Sequence, residues 1–194
     1  MRTIISLILT FIVTLTYSQV IDWDNFDTKL IDSLVLEEAN LYRKSNSKLE
    51  LTHSPILYNH ISLRQTEIQR QQQRAFHPEV DTLFDLVQDS LVIESESTNP
   101  GKKNVYKSFT LAEICIKTHK QDDKFTTYQE LAKYLIRLWI LSPAHQSFLL
   151  NWATVGEHKY GIGATSIQVG DYYWRGKIFV GIYASLQICG TYLQ

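Results

Sequence analysis

The sequence predicts an α+β fold in a single domain, with a mainly antiparallel sheet completed near the C-terminus. Three observations carry this expectation. Apolar residues recur at helical spacing in two segments before the middle of the chain and in one after it. Alternating patterns occupy the stretch around Glu113 and the C-terminal part. No internal repeat is present, so helices gathered around a terminal hairpin point to a mixed, largely antiparallel sheet.

Met1 to Ser18 reads as a secretory signal peptide. Arg2 supplies the positive start, Ile4 to Leu15 the apolar core, and Thr16-Tyr17-Ser18 a small-x-small cleavage site. That core is shorter than the ~20 residues a spanning helix needs, and no later segment approaches that length without charges. The mature protein is therefore expected to be secreted or periplasmic, with no membrane span; the alternative reading of the same residues is an uncleaved N-terminal anchor. Residues 19–194 suit one domain. A chain of that size buries about 70% of its unfolded surface and needs no metal or disulfide merely to fold. The formal net charge is −1 and the basic residues are scattered, which disfavours nucleic acid as a partner.

Along the chain, Asp24 to Ser45 carries a helical pattern in Leu30, Leu34, Leu41 and Tyr42, with Asp27 or Thr28 near its start. Ser54-Pro55 opens a second helix, Ser as cap and Pro at the first position. It runs over Ile56 to Arg74 with Leu57, Ile61 and Ile68 inward and its Gln and Arg residues outward. Asp89 to Lys103 is a surface loop by composition. Tyr106 to Ile116 alternates as a strand, and Glu113 among its apolar neighbours demands a reason. Thr127 to Glu130 has the form of a capping box. Behind it Leu131, Leu135, Leu138 and Trp139 form one helical face, stopped by Pro143. Tyr160 to Val169 and Tyr172 to Leu186 read as strands joined at Gly170-Asp171. Cys115 and Cys189 are the two cysteines. In an oxidising compartment they either pair, with about 4 kcal/mol of chain-entropy stabilisation, or stay as buried free thiols.

The ordered set Trp139, Ser142-Pro143-Ala144-His145, Phe148-Leu149-Leu150 and Tyr160-Gly161-Ile162-Gly163-Ala164 resembles the CAP superfamily (cysteine-rich secretory, antigen 5 and pathogenesis-related proteins), in its bacterial branch. Upstream, Asn40-Leu41-Tyr42-Arg43, Leu51 before Pro55, and Phe76-His77-Pro78 extend the likeness over roughly Ile31 to Cys189. The resemblance implies a three-layer α-β-α sandwich, with Asn40 and Arg43 tying the first helix to neighbouring backbone. It also implies a cavity lined by His77, Glu113 and His145. Two imidazoles and a carboxylate suit a divalent metal such as zinc, with a position left for water.

Taken alone, His145 reads instead as a cation at a helix C-terminus, favoured by the macrodipole. His53, His60, His119 and His158 have no family counterpart and default to surface or packing roles. Two departures bear on chemistry: Ala112-Glu113-Ile114 replaces the family's Gly-Glu-Asn, and Ser142 stands where eukaryotic members carry a second glutamate. A weaker metal site follows, because losing the groups that orient metal ligands costs about 10–100-fold in affinity or activity. The leading expectation is a secreted binding module for a small apolar ligand or an extracellular protein, with Tyr172-Tyr173-Trp174 and Trp152 available to line a groove. The alternative is a metal-dependent hydrolase, a peptidase, using the same three residues.

Overall fold

A computed structural model describes residues 19–76, 92–96, 103–121, 124–151 and 161–193, with backbone alone over 92–96, 103–112 and 190–193. Met1 to Ser18, His77 and Trp152 lie outside the described residues. Helix α1 (Thr28–Ser45) begins where the Asp27 side chain accepts from the Leu30 N–H at 3.0 Å. It is followed by β1 (Leu51–His53), a short α2 (Pro55–Leu57), a π-helical turn π1 (Tyr58–Ser62) and α3 (Leu63–Gln71). Then come β2 (Val92–Glu96), β3 (Lys103–His119), α4 (Tyr128–Ile140), α5 (Pro143–Asn151), β4 (Gly161–Trp174) and β5 (Lys177–Leu193).

The strands form one five-stranded sheet in the order β1-β4-β5-β3-β2. Only β1 and β4 are parallel; the other pairs are antiparallel. Alternation along β5 sends Ile182, Ala184, Leu186 and Ile188 to one face, where they join Ile31, Leu34 and Val35 of α1, Leu131, Leu135 and Trp139 of α4, and Leu149 of α5. On the other face Cys189 and its β4 neighbours Ile162 and Ala164 meet Leu57 and Ile61. Helices therefore cover both faces of the sheet. The fold is α+β, as expected, and its layers run α-β-α.

Several local expectations hold. The capping box at Thr127 is complete, with Glu130 accepting from the Thr126 and Thr127 N–H groups at 2.8 and 3.0 Å. Asn40 and Arg43 do tie α1 to its surroundings. The Asn40 amide takes both backbone groups of Leu51, at 2.7 and 2.9 Å. Arg43, fully buried, donates to the carbonyls of Leu49 and Leu149.

Other expectations are corrected. Val92–Glu96, placed in a loop by composition, pairs with Lys103–Lys107 as an edge strand. β4 runs straight through Gly170-Asp171, and the reversal falls at Arg175-Gly176, whose φ values of 49° and 75° suit a two-residue hairpin. Pro143 does not merely stop a helix. It starts α5, so His145 lies in the first turn of a helix, where the macrodipole disfavours a cation. The buried side of α1 is Ile31, Leu34, Val35 and Ala39, while Leu41 is exposed.

The phase of α3 is also different, and π1 is the cause. A π turn holds one extra residue, which rotates everything after it by about 100° relative to a straight helix. Leu57 and Ile61 face the sheet before the shift, and Ser62, Gln65, Thr66 and Gln69 are the buried residues after it, with Ile68 half-buried.

The two cysteines do not pair with each other; both are buried thiols, and the Cys115 Sγ donates to the Phe76 carbonyl at 3.7 Å. Cys189 stands opposite Leu111 and Cys115 opposite Ser185, which separates them by about 13 Å along the ladder at ~3.3 Å per residue. A bridge needs Cα atoms within about 7 Å. Among the described residues no helix is long and apolar enough to cross a membrane.

Candidate functional site

The sequence-predicted trio is not seen as one site. Glu113 sits on β3 on the sheet face turned toward α3, where Gln187 Nε2 donates to its Oε1 at 2.7 Å. His145 belongs to α5, whose Leu149 packs into the core on the opposite face. His77 lies outside the described residues. Among the described residues, no three His, Cys, Asp or Glu side chains gather as a metal would require.

The reason for a carboxylate at Glu113 is nonetheless visible. It belongs to a polar layer between α3 and the sheet. Ser62 Oγ donates to Gln187 Oε1, which leaves the Gln187 amide nitrogen free to donate to Glu113. Thr66 Oγ1 meets Ser185 Oγ at 2.9 Å, and Gln69 Nε2 donates to the Phe76 carbonyl at 2.9 Å. Both amide atoms of Gln65, the Gln69 Oε1 and the Ser166 Oγ are buried with no hydrogen-bond partner among the described residues. Burying such groups unpaired costs about 1–3 kcal/mol each, so this layer is a place of stored instability.

A second site was not anticipated from the sequence. A groove of about 720 Å³ opens between α1, β1 and π1, along the sheet edge where β1 ends. Leu36, Leu41 and Leu51 give it an apolar lining, with Asp32, His53 and Tyr58 among its polar groups. Because β1 pairs only with Gly161–Gly163, β4 presents an edge beyond that point with no further strand beside it among the described residues. Asp32 fills the gap. Its Oδ1 accepts from the Ile167 N–H at 2.7 Å, and its main-chain carbonyl accepts from Thr165 Oγ1. Its Oδ2 accepts from the Tyr58 hydroxyl at 2.8 Å, and the His53 ring lies 6.0 Å from that of Tyr58.

Burial pushes the Asp32 carboxyl up to about 7, against the pull of the Tyr58 and Ile167 hydrogen bonds. The same burial, with Asp32 beside it, raises the Tyr58 phenol. A carboxyl poised near neutrality on the wall of an apolar groove can hold a proton, or accept a hydrogen bond from a cationic ligand. One signal in the sequence pointed here: Asp32 interrupts the apolar stripe of α1 between Ile31 and Leu34.

No family model matches the chain, and no curated protein matches it in sequence. The fold has a solved counterpart. An outer surface protein from Borrelia burgdorferi superposes with a TM-score of 0.51 at 12% identity, covering 86% of this chain and 97% of that one. At that identity the likeness shows the shared fold alone.

Proposed function

We propose that the chain is an exported binding module of the CAP type, which seats a small, largely apolar ligand bearing a cationic group in the groove beside Asp32. The observation that carries this reading is a buried carboxylate set in a leucine-lined groove of about 720 Å³. That volume lies within the ~300–1,000 Å³ typical of small-molecule sites, which pair apolar walls with a few fixed polar groups. Export is supported by the charged, apolar and small-residue order of Met1 to Ser18, and by the outer-surface name of the structural neighbour. The family resemblance supports a binding role, and the departures beside Glu113 and at Ser142 weigh against hydrolysis.

The test is calorimetric titration with a medium-chain alkylamine and with the fatty acid of equal chain length. The amine should bind and the acid should not. Its affinity should rise as pH climbs through about 7, where Asp32 becomes ionised. Asp32→Asn should weaken amine binding at least about tenfold, the worth of a charge-assisted hydrogen bond. Equal affinity in wild type and Asp32→Asn, or a preference for the acid, would refute the assignment.

A further inference from the structure

The exposed apolar side chains of the described surface are mostly scattered, but three of them meet at the tip of the β4–β5 hairpin: Tyr173 (56% exposed), Trp174 (50%) and Ile178 (62%). β3 stops at His119, opposite Gly181, so the last rungs of the hairpin have no third strand beside them among the described residues. The pairs Tyr172–Phe179, Tyr173–Ile178 and Trp174–Lys177 run about 10 Å past the last paired residue of β3 at ~3.4 Å per residue, with the His119 ring against Tyr172 and Phe179 and Gln73 Oε1 accepting from the Tyr173 N–H at 3.3 Å. Alternation puts Tyr173 and Ile178 on one side of the ribbon and Tyr172, Trp174 and Phe179 on the other, so both sides are apolar. Tyr172, Trp174 and Phe179 pack together with ring centroids 6.4 Å apart in each contact with Phe179. That packing keeps the ribbon ordered although two-stranded ribbons are marginal in water.

The charge on the ribbon has one sign. From Tyr172 to Phe179 it carries Arg175 and Lys177 and no carboxylate. The Arg175 guanidinium lies 4.6 Å over Trp174, and behind it Lys117 lies 4.1 Å over Tyr172. Asp171 stands at the base of the ribbon.

We infer that this hairpin docks the protein onto an anionic lipid surface. Aromatic and aliphatic side chains would enter the interfacial region, and Arg175 and Lys177 would meet the headgroup phosphates. The two-sided apolar tip favours a lipid interface over a protein partner. A flat protein surface covers one side of a projecting ribbon, whereas an interface closes around all of it. Trp and Tyr prefer that depth, and basic residues beside anionic lipid add attraction.

The experiment is co-sedimentation with phosphatidylcholine vesicles and with vesicles in which about a third of the lipid is phosphatidylglycerol, the proportion setting the surface charge. Wild type and variants carry the same N-terminus, so any contribution of Met1–Ser18 cancels. Wild type should pellet with the anionic vesicles and release at high salt. Arg175→Gln with Lys177→Gln should weaken binding about thirtyfold, about fivefold per cation. Tyr173→Ser with Ile178→Ser, which spares the Tyr172, Trp174 and Phe179 packing, should abolish it while leaving thermal unfolding unchanged. Binding that is equal on neutral vesicles, or that survives both double substitutions, would overturn the proposal. So would a concentration-dependent dimer that the Tyr173→Ser, Ile178→Ser variant converts to monomer, since the hairpin would then belong to a second copy.

Discussion

Asp32 is the residue whose behaviour the structure constrains most closely. Its two carboxylate oxygens are occupied by Ile167 and Tyr58, yet burial outweighs those hydrogen bonds, so its folded pKa rises to about 7. An unfolded aspartate titrates near ~3.9. Between those values the folded state holds a proton that the unfolded state has lost, so stability falls as pH rises through this window and levels off above it. The gap between the two values corresponds to about 4 kcal/mol. Urea unfolding from pH 4 to pH 8 should therefore show wild type declining by about that amount relative to Asp32→Asn, which has no proton to lose. Parallel profiles for the two proteins would place the carboxyl in water. The spacing of α1 shows Asp32 interrupting the apolar stripe, but not that its carboxyl is buried, which depends on β4, whose Ile167 lies far along the chain.

At the scale of elements, the starts of helices are the best-written features. Asp27, Ser54 and Thr127 cap as their chemistry requires. Phase and identity are harder. The π turn at Tyr58–Ser62 leaves no mark in the sequence, since Tyr-Asn-His-Ile-Ser is compatible with an ordinary helix, yet it sends Gln65 and Gln69 inward. Edge strand β2 was hidden because Glu94, Ser95 and Glu96 look like loop. Charged residues are also what a solvent-facing sheet edge uses to refuse partners. Pro143 was ambiguous because proline both ends and begins helices. The inward turn of α3 has a measurable effect. Gln65→Leu replaces two unpaired amide atoms with an apolar side chain of similar size, and should stabilise the protein by about 1–3 kcal/mol. A raised urea midpoint with unchanged m would confirm it. A lowered midpoint would show that the amide is bonded in solution.

Over the whole molecule, the mainly antiparallel sheet follows from the order of elements, while the α-β-α layering was implied by the family resemblance and the site by neither. The meeting of Glu113 with Gln187, or of Asp32 with Tyr58, is fixed by register. The cysteines illustrate this. Sequence permits a bridge, and four residues of ladder forbid it. Unfolding the protein in denaturant without reductant should expose two reactive thiols, and the midpoint should not move when reductant is added. A single linked pair would show instead that the register is wrong. The strand order has a consequence for the protein's history as a chain. β4 and β5, which sit at the middle of the sheet, are made after every helix named above, and α1 to α3 rest on surfaces that those strands supply. An emerging N-terminal half has helices but nothing to lay them on, and β1 must wait for Gly161–Gly163. Such distant pairings are slow to close. The polypeptide from α1 onward therefore stays open until the β4–β5 hairpin has been made, so its folding waits on synthesis rather than keeping pace with it.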